Sequence, residues 1–162
     1  MTIDFSLRTV PRPEDAGSVR QLAAATGFFS GEEILIAGEL VEEALARGSA
    51  AGYHFMFAED GCSHLIGYCC FGPVPLTRES FDLYWIAVLP QRQGCGLGRR
   101  LMQAAEAAIR EKGGKRVYAD TSSREQYLPT RAFYEKAGYR QAAYLPDFYA
   151  PGDGKVIYCK TL

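Results

Sequence analysis

The sequence predicts an α/β domain built on a mixed sheet, and three observations carry that expectation. Apolar runs of strand length alternate with segments of helical period, glycines and prolines fall between those segments, and no segment repeats. The chain has 162 residues, 48% of them hydrophobic and 23% charged, which is the balance of one compact domain over residues 1–162 rather than of a disordered or fibrous chain. A domain of this size buries about two-thirds of its unfolded surface and needs no disulfide or metal staple.

The elements follow in order. Phe5 to Val10 reads as a short strand ahead of Pro11 and Pro13. Glu14 to Thr26 places Val19, Leu22, Ala23 and Thr26 on one helical face and stops at Gly27. Ser30 stands three residues before Glu33, a capping-box spacing, so a second helix starts there with Ile34, Ala37, Val41 and Leu45 as its apolar stripe and Gly48 as its stop. Two aromatic apolar runs, YHFMFAE and HLIGYCCF, flank Asp60-Gly61 and predict a hairpin. Beyond Pro73 and Pro75, Ser80 to Leu89 is a long strand closed by Pro90. The glycine-rich segment Gln93 to Gly98 then opens a helix with Leu97, Leu101, Ala104, Ala105, Ala108 and Ile109 on its core face, ended by Gly113-Gly114. RVYADT reads as a strand, Pro129 to Ala137 as a short helix ending at Gly138, and Arg140 to Leu145 and Lys155 to Lys160 as two closing strands. The order is βααβββαβαββ.

Net charge is −1, so the whole chain has no bulk attraction for nucleic acid or for a membrane surface. Charge is nevertheless unevenly spread. Residues 1–60 carry 10 acidic and 4 basic side chains and residues 89–118 carry 7 basic and 2 acidic, so one part suits a cation and the other a polyanion. No apolar run is long enough to span a bilayer, and the opening MTIDFSLRTVPRPED lacks the pattern of a secretory leader, which makes a cytoplasmic location the expectation. The five cysteines show no paired CxxC spacing and read as reduced thiols. His54 and His64 each alternate within an apolar strand, and no metal cluster is expected.

The sharpest local feature is the strand, glycine loop and helix from Tyr84 to Arg110. N–H groups at a helix start have no intrahelical partner, and with the positive end of the helix dipole they bind phosphate, while glycines let the chain come close. A Walker loop would need Gly-Lys-Ser/Thr, but Arg99-Arg100 follow here; a GxGxxG dinucleotide fingerprint fails at its third glycine.

The stretch YWIAVLPQRQGCGLGRRLM, followed by TRAFYEKAGY, resembles the GNAT superfamily of N-acetyltransferases. The resemblance implies a GNAT-type acyl-CoA N-acyltransferase fold, with a mixed central sheet of about seven strands and about four helices. It implies acetyl-CoA as cosubstrate, its pyrophosphate cradled by a Q/R-x-x-G-x-G/A loop that falls on Gln93, Gly96 and Gly98. The register starting at Gln93, rather than at Gln91, puts the apolar Leu101 three residues after the last glycine, where the helix turns inward. By the same resemblance the main chain of Ile86, Ala87 and Val88 pairs with the pantetheine arm. The N–H groups of Gly94, Cys95, Gly96, Leu97, Gly98 and Arg99 face the pyrophosphate, Arg92, Arg99 or Arg100 meets phosphates, and Thr130 and Phe133 lie on the cofactor side. The chain departs from the family pattern at Tyr127, where Asn is common, and at Thr130, which replaces a usual Ala.

The resemblance puts the general acid on Tyr134: a phenol of pKa about 10 can protonate a departing thiolate whose conjugate acid is near 8.5. Many members also carry an acidic residue on the long strand. Asp82, which shares a face with Tyr84, Ile86 and Val88 by the two-residue period, is the first candidate for accepting the amine proton through water, ahead of Glu79, Asp147 and Asp153. Cys95 has no nearby histidine in sequence and reads as a spectator. In this fold the acceptor cleft is lined by the link between the first two helices and the loop between the last two strands, here 27–30 and 147–153, with Phe29, Tyr84, Asp147 and Tyr149 as contact candidates. The expected partner is a small-molecule or peptide amine, with a homodimer left open. Two other readings stay open: a noncatalytic acyl-CoA-binding or sensor domain, and a protein-interaction module whose glycine loop is only a turn.

Overall fold

A computed structural model describes residues 4–162. Its elements are β1 (Ser6–Arg8), α1 (Asp15–Thr26), α2 (Gly31–Arg47), β2 (His54–Glu59), β3 (Leu65–Pro73), β4 (Ser80–Val88), α3 (Leu97–Glu111), β5 (Arg116–Ser122), α4 (Leu128–Lys136), β6 (Arg140–Ala150) and β7 (Asp153–Thr161). The strands form a mixed sheet in the order β1-β2-β3-β4-β5-β7-β6. The expected order of strands and helices is the observed one. The chain forms two compact units: one runs to Gly72 and adds Trp85–Ala105, and the other holds Pro73–Tyr84 and Glu106–Leu162.

In the first unit β1, β2 and β3 are antiparallel neighbours. Phe55, Phe57, Tyr68 and Cys70 point from β2 and β3 into a core closed by Val19 and Leu22 of α1 and Ala37 and Val41 of α2. Burying a side chain such as Phe57 fully stabilises by about 1.5–3 kcal/mol relative to leaving it in water. The Ser30–Glu33 capping box forms reciprocally, the Ser30 hydroxyl accepting from Glu33 N–H at 3.2 Å and the Glu33 carboxylate from Ser30 N–H at 2.7 Å. The buried stripe of α2 is Ala37, Gly38, Val41 and Ala44, whereas Leu45 is 40% exposed: the stripe continues at i+3 from Val41, one helical step short of Leu45. Arg8 ties β1 to its neighbours, donating to both carboxylate oxygens of Asp15 at 2.8 Å and to Glu59 at 2.7 Å. β1 itself is shorter than the Phe5–Val10 expected, its pairing with β2 limited to Ser6, Leu7 and Arg8.

The predicted hairpin forms, but its turn is wider than an Asp-Gly pair. Asp60 Oδ1 accepts from Cys62 N–H at 2.9 Å and His64 N–H at 3.0 Å, and the left-handed residue is Ser63 at φ 64°, not Gly61. These two bonds, that from His64 first, hold the Asp60 carboxyl below the usual aspartate range. His64 therefore stands in the turn, exposed, and not on an apolar strand as expected. His54 does open β2, its ring 5.6 Å from that of Phe71. On the α3 side of this unit Leu97, Leu101, Met102 and Ala105 are buried, with Met102 an addition to the expected face. Ala104 and Ala108 are only half-buried.

In the second unit β4 runs parallel to β5, from Ser80↔Arg116 to Leu83↔Ala119, where the register ends. Phe81 packs on Ile109 of α3 across Gly114, where any Cβ would strike both side chains. β7 pairs antiparallel with β5 and with β6. β6 continues to Ala150, five residues beyond the expected end. Residues 146–149 bulge opposite Gly154 alone, between Leu145↔Lys155 and Ala150↔Asp153, so the expected 147–153 loop is mostly strand with a two-residue turn.

All five cysteines are free thiols; burial pushes Cys69 up to about 12, while Cys62 and Cys95 are exposed. Among the described residues no helix is long and apolar enough to cross a membrane.

Glu106 is the one charged side chain of α3 that is buried, at 4% exposure, and both its oxygens accept from Lys160 Nζ at 2.9 Å while Lys160 also donates to Ala137 O at 2.8 Å. Removing one partner of such a pair strands the other. Glu106→Ala is expected to lower stability by about 3 kcal/mol in urea denaturation, and a loss under about 1 kcal/mol would show that solvent compensates Lys160.

Candidate active site

In the first unit, the end of β4 and the start of α3 are joined by a loop braced at both ends. Leu89 N–H donates to Ile66 O of β3 at 3.0 Å. Because successive N–H groups alternate sides along a strand, that of Val88 is directed at the opposite edge of β4, beyond the last residue paired with β5. The Gln93 side-chain amide donates to Val88 O at 3.0 Å, folding the loop back onto the strand end. Arg92 N–H and Gln93 N–H are satisfied by Leu89 O and Pro90 O in a single 3-10 turn. Gly94 and Gly96 then take φ of 74° and 85°, the left-handed region that side-chain-bearing residues avoid. From Gly94 to Arg99 no carbonyl among the described residues accepts an N–H, and the helical bonds resume with Arg100 N–H to Gly96 O at 3.1 Å. The result is a row of unmet donors at the positive end of a 15-residue helix whose Leu97 and Leu101 anchor it in the core.

The cationic neighbours divide. Arg100 lies over the Phe5 ring at 4.5 Å, and Arg99 is exposed beside the donor row. Cys95 Sγ donates to Arg92 O at 2.6 Å. Phe29, expected to face an acceptor, packs edge-on against Trp85 with ring centroids 4.8 Å apart, half-buried at the rim of the core.

In the second unit Tyr134 of α4 is buried at 5% exposure among the rings of Phe133, Tyr139 and Tyr158, with centroids 5.5–5.8 Å away. Thr130, one helical turn earlier, is half-buried. Tyr158 donates to Glu135 at 3.2 Å, and burial, then this bond, push its phenol upward. Three rivals for the base are committed elsewhere: Glu79 to Lys115 at 2.5 Å, Asp153 to Arg124 at 3.1 Å and to the Ser122 hydroxyl, and Asp147 to Gly152 N–H at 2.7 Å. Asp82 is half-buried and has no ion-pair or hydrogen-bond partner among the described residues. Tyr84 and Tyr149 are both exposed, the latter stacked edge-on against Phe148 at 5.0 Å.

Residues 51–141 match the family model for the acetyltransferase (GNAT) domain, more than half of the chain. The chain belongs to the GNAT family. A crystal structure of a GNAT-family protein from Desulfovibrio desulfuricans superposes with a TM-score of 0.95 at 46% identity, covering 98% of this chain and 99% of that one. The PaiA N-acetyltransferase of Thermoplasma acidophilum, crystallised with coenzyme A, superposes at 0.74 with 20% identity over 99% of this chain and 100% of that one, a likeness of fold. A blasticidin-S acetyltransferase from Streptomyces morookaense is 39% identical over 81 residues; the match takes in 50% of this chain and 55% of that protein, so it spans about half the length of each.

One neighbour of the candidate base Asp82 escaped the sequence reading. The pairing Asp82↔Tyr118 carries Asp120 two residues further along the same face of β5, where it pairs with Lys155 of β7 at 2.5 Å; Lys155 in turn lies over the Phe148 ring at 4.8 Å. The alternation within RVYADT holds the signal, but the β7 partner is set by register alone. Burial first, then the nearby Asp120, raise the Asp82 carboxyl, and Lys155 partly offsets them. Since the folded carboxyl holds its proton to higher pH than the unfolded one, stability falls as pH rises through that interval. Asp82→Asn is therefore expected to raise the melting temperature at neutral pH and to lose that advantage below the ordinary aspartate range; an equal gain at both would assign it to packing.

Proposed function

We propose that this GNAT domain, residues 1–162 acting as one unit of function, transfers an acetyl group from acetyl-CoA to a primary amine of a small molecule or peptide by direct attack. The observation that carries the reading is the unpartnered row of N–H groups from Gly94 to Arg99 at the start of α3, a fit for a pyrophosphate. The open edge of β4 at Ile86–Val88 suits the amide-bearing pantetheine arm, added as a short extra strand. The names of the Streptomyces and Thermoplasma relatives, an acetyltransferase and an N-acetyltransferase, agree with it.

In this reading acetyl-CoA supplies an activated thioester. Val88 N–H polarises its carbonyl oxygen. The amine nitrogen bonds to the carbonyl carbon as the carbon–sulfur bond breaks; Asp82 takes up the amine proton through water, and Tyr134 gives its phenolic proton to the departing thiolate. The upward displacement of Asp82 makes it a better base than an ordinary aspartate. The exposed rings of Tyr84 and Tyr149 suit a cationic acceptor. Free thiols throughout agree with a cytoplasmic location, and a homodimer is compatible with the reading.

Calorimetric titration with acetyl-CoA tests the cofactor site. Wild type is expected to bind, and Gly96→Val, which forces a β-branched residue to φ 85°, to bind about tenfold or more weakly. Equal binding by both would remove the glycine loop from the site, and no binding by wild type would end the enzyme reading.

Thiol release against a panel of amines tests the acid. Tyr134→Phe keeps the ring and its packing, so kcat is expected to fall about a hundredfold or more with acetyl-CoA affinity little changed. Unchanged turnover would take Tyr134 out of the role, and binding without thiol release for any amine would leave an acyl-CoA-binding domain.

A further inference from the structure

We infer that the β2–β3 turn is a binding site for a transition-metal dication of the Zn2+ class, held by Asp60, Cys62 and His64. The three residues alternate along the turn, and each offers one ligand atom: a carboxylate oxygen, a thiol sulfur and a ring nitrogen. These atoms all lie within 4.8 Å of one another. In a tetrahedral site with bonds of about 2.0–2.3 Å, ligand atoms stand about 3.3–3.8 Å apart, so an inward movement of about 1 Å completes the set.

The arrangement leaves the donors available. Asp60 Oδ1 is committed to the backbone of the turn, which turns Oδ2 towards His64 Nδ1 at 3.5 Å. Asp60 N–H donates to His64 O at 3.0 Å and Ser63 N–H to Asp60 O at 2.9 Å, so the backbone that carries the ligands is already closed. Cys62 is exposed and the His64 side chain is 76% exposed, so both rotate without disturbing the core. A thiolate with an imidazole selects against the hard cations Ca2+ and Mg2+, and three protein ligands leave a fourth tetrahedral position for water. As the metal–sulfur bond forms, the Cys62 thiol proton passes to solvent, leaving a carboxylate and a thiolate to balance the dication.

The inference is independent of the acyl-transfer reading, although the two sites are linked through the chain. Two residues beyond His64, Ile66 O accepts Leu89 N–H, where the glycine loop leaves β4. A bound ion stiffens the turn next to that anchor.

The test uses the full chain, reduced and stripped with a chelator, then titrated with Co2+, whose thiolate charge-transfer and tetrahedral d–d bands report a sulfur ligand. The expected result is saturation at one equivalent, displacement of the bands by Zn2+, and their loss in Cys62→Ser and in His64→Ala but not in Cys95→Ser. Circular dichroism matching wild type shows that the variants are folded. Absence of the bands in wild type, their survival in Cys62→Ser or His64→Ala, or their dependence on Cys95 would overturn the assignment. Acetyl-CoA titration of the same samples separates this outcome from any failure of the transferase reading.

Discussion

A row of backbone donors that the fold declines to satisfy sets the requirements for everything around it. Between Gly94 and Arg99 the N–H groups have no acceptor among the described residues, which in a buried segment would cost about 1–3 kcal/mol each. The chain avoids that penalty by keeping the loop exposed and fixing its two ends. Leu89 is bonded to Ile66, Gln93 reaches back to Val88, and Leu97 and Leu101 sink the first turns of α3 into the core. The left-handed glycines at 94 and 96 make the reversal without strain. Remove the brace and the donors lose their common direction; remove the glycines and the loop cannot present them.

Much of this was legible in the sequence because it is local. The capping box at Ser30, the glycine loop, the closing Pro90 and the periodicity of each segment are read over a few neighbouring residues, and the order of elements follows from them. What could not be read depends on register between distant segments. Nothing near Asp120 in sequence announces Lys155, and nothing within 140–150 says that four residues will bulge against one glycine. Asp147 and Asp153 looked like free carboxylates in a loop; one closes the β6–β7 turn and the other sits under Arg124. The turn at Asp60 failed for a different reason: two side-chain-to-backbone bonds displaced an Asp-Gly pair from the role that its composition suggests. Tyr134 was placed by its motif, but its burial among three rings was not readable from it.

Glu106 and Asp82, two acids of the second unit, make an instructive contrast. Glu106 has a lysine against both oxygens and serves the architecture. Asp82 has burial, no ion-pair or hydrogen-bond partner among the described residues, and an aspartate nearby, so its charged form is disfavoured and the folded chain holds it at a loss. A carboxylate kept under those terms is out of place as a structural element and well suited to taking up a proton.

The outer strand β6 bears on how the chain behaves among its own copies. Its residues are almost all exposed, including Tyr144, Leu145, Phe148 and Tyr149, and an edge of that length and greasiness would ordinarily invite strand addition. The bulge at 146–149 interrupts it. Pro146 offers no N–H, Asp147 takes a left-handed φ of 53°, and the ladder spacing is broken at Phe148 and Tyr149. The same irregularity that carries Phe148 to Lys155 thus acts as a guard against templated sheet growth, and a second register shift between Gln141 and Ala143 interrupts the remaining stretch from Arg140 to Leu145.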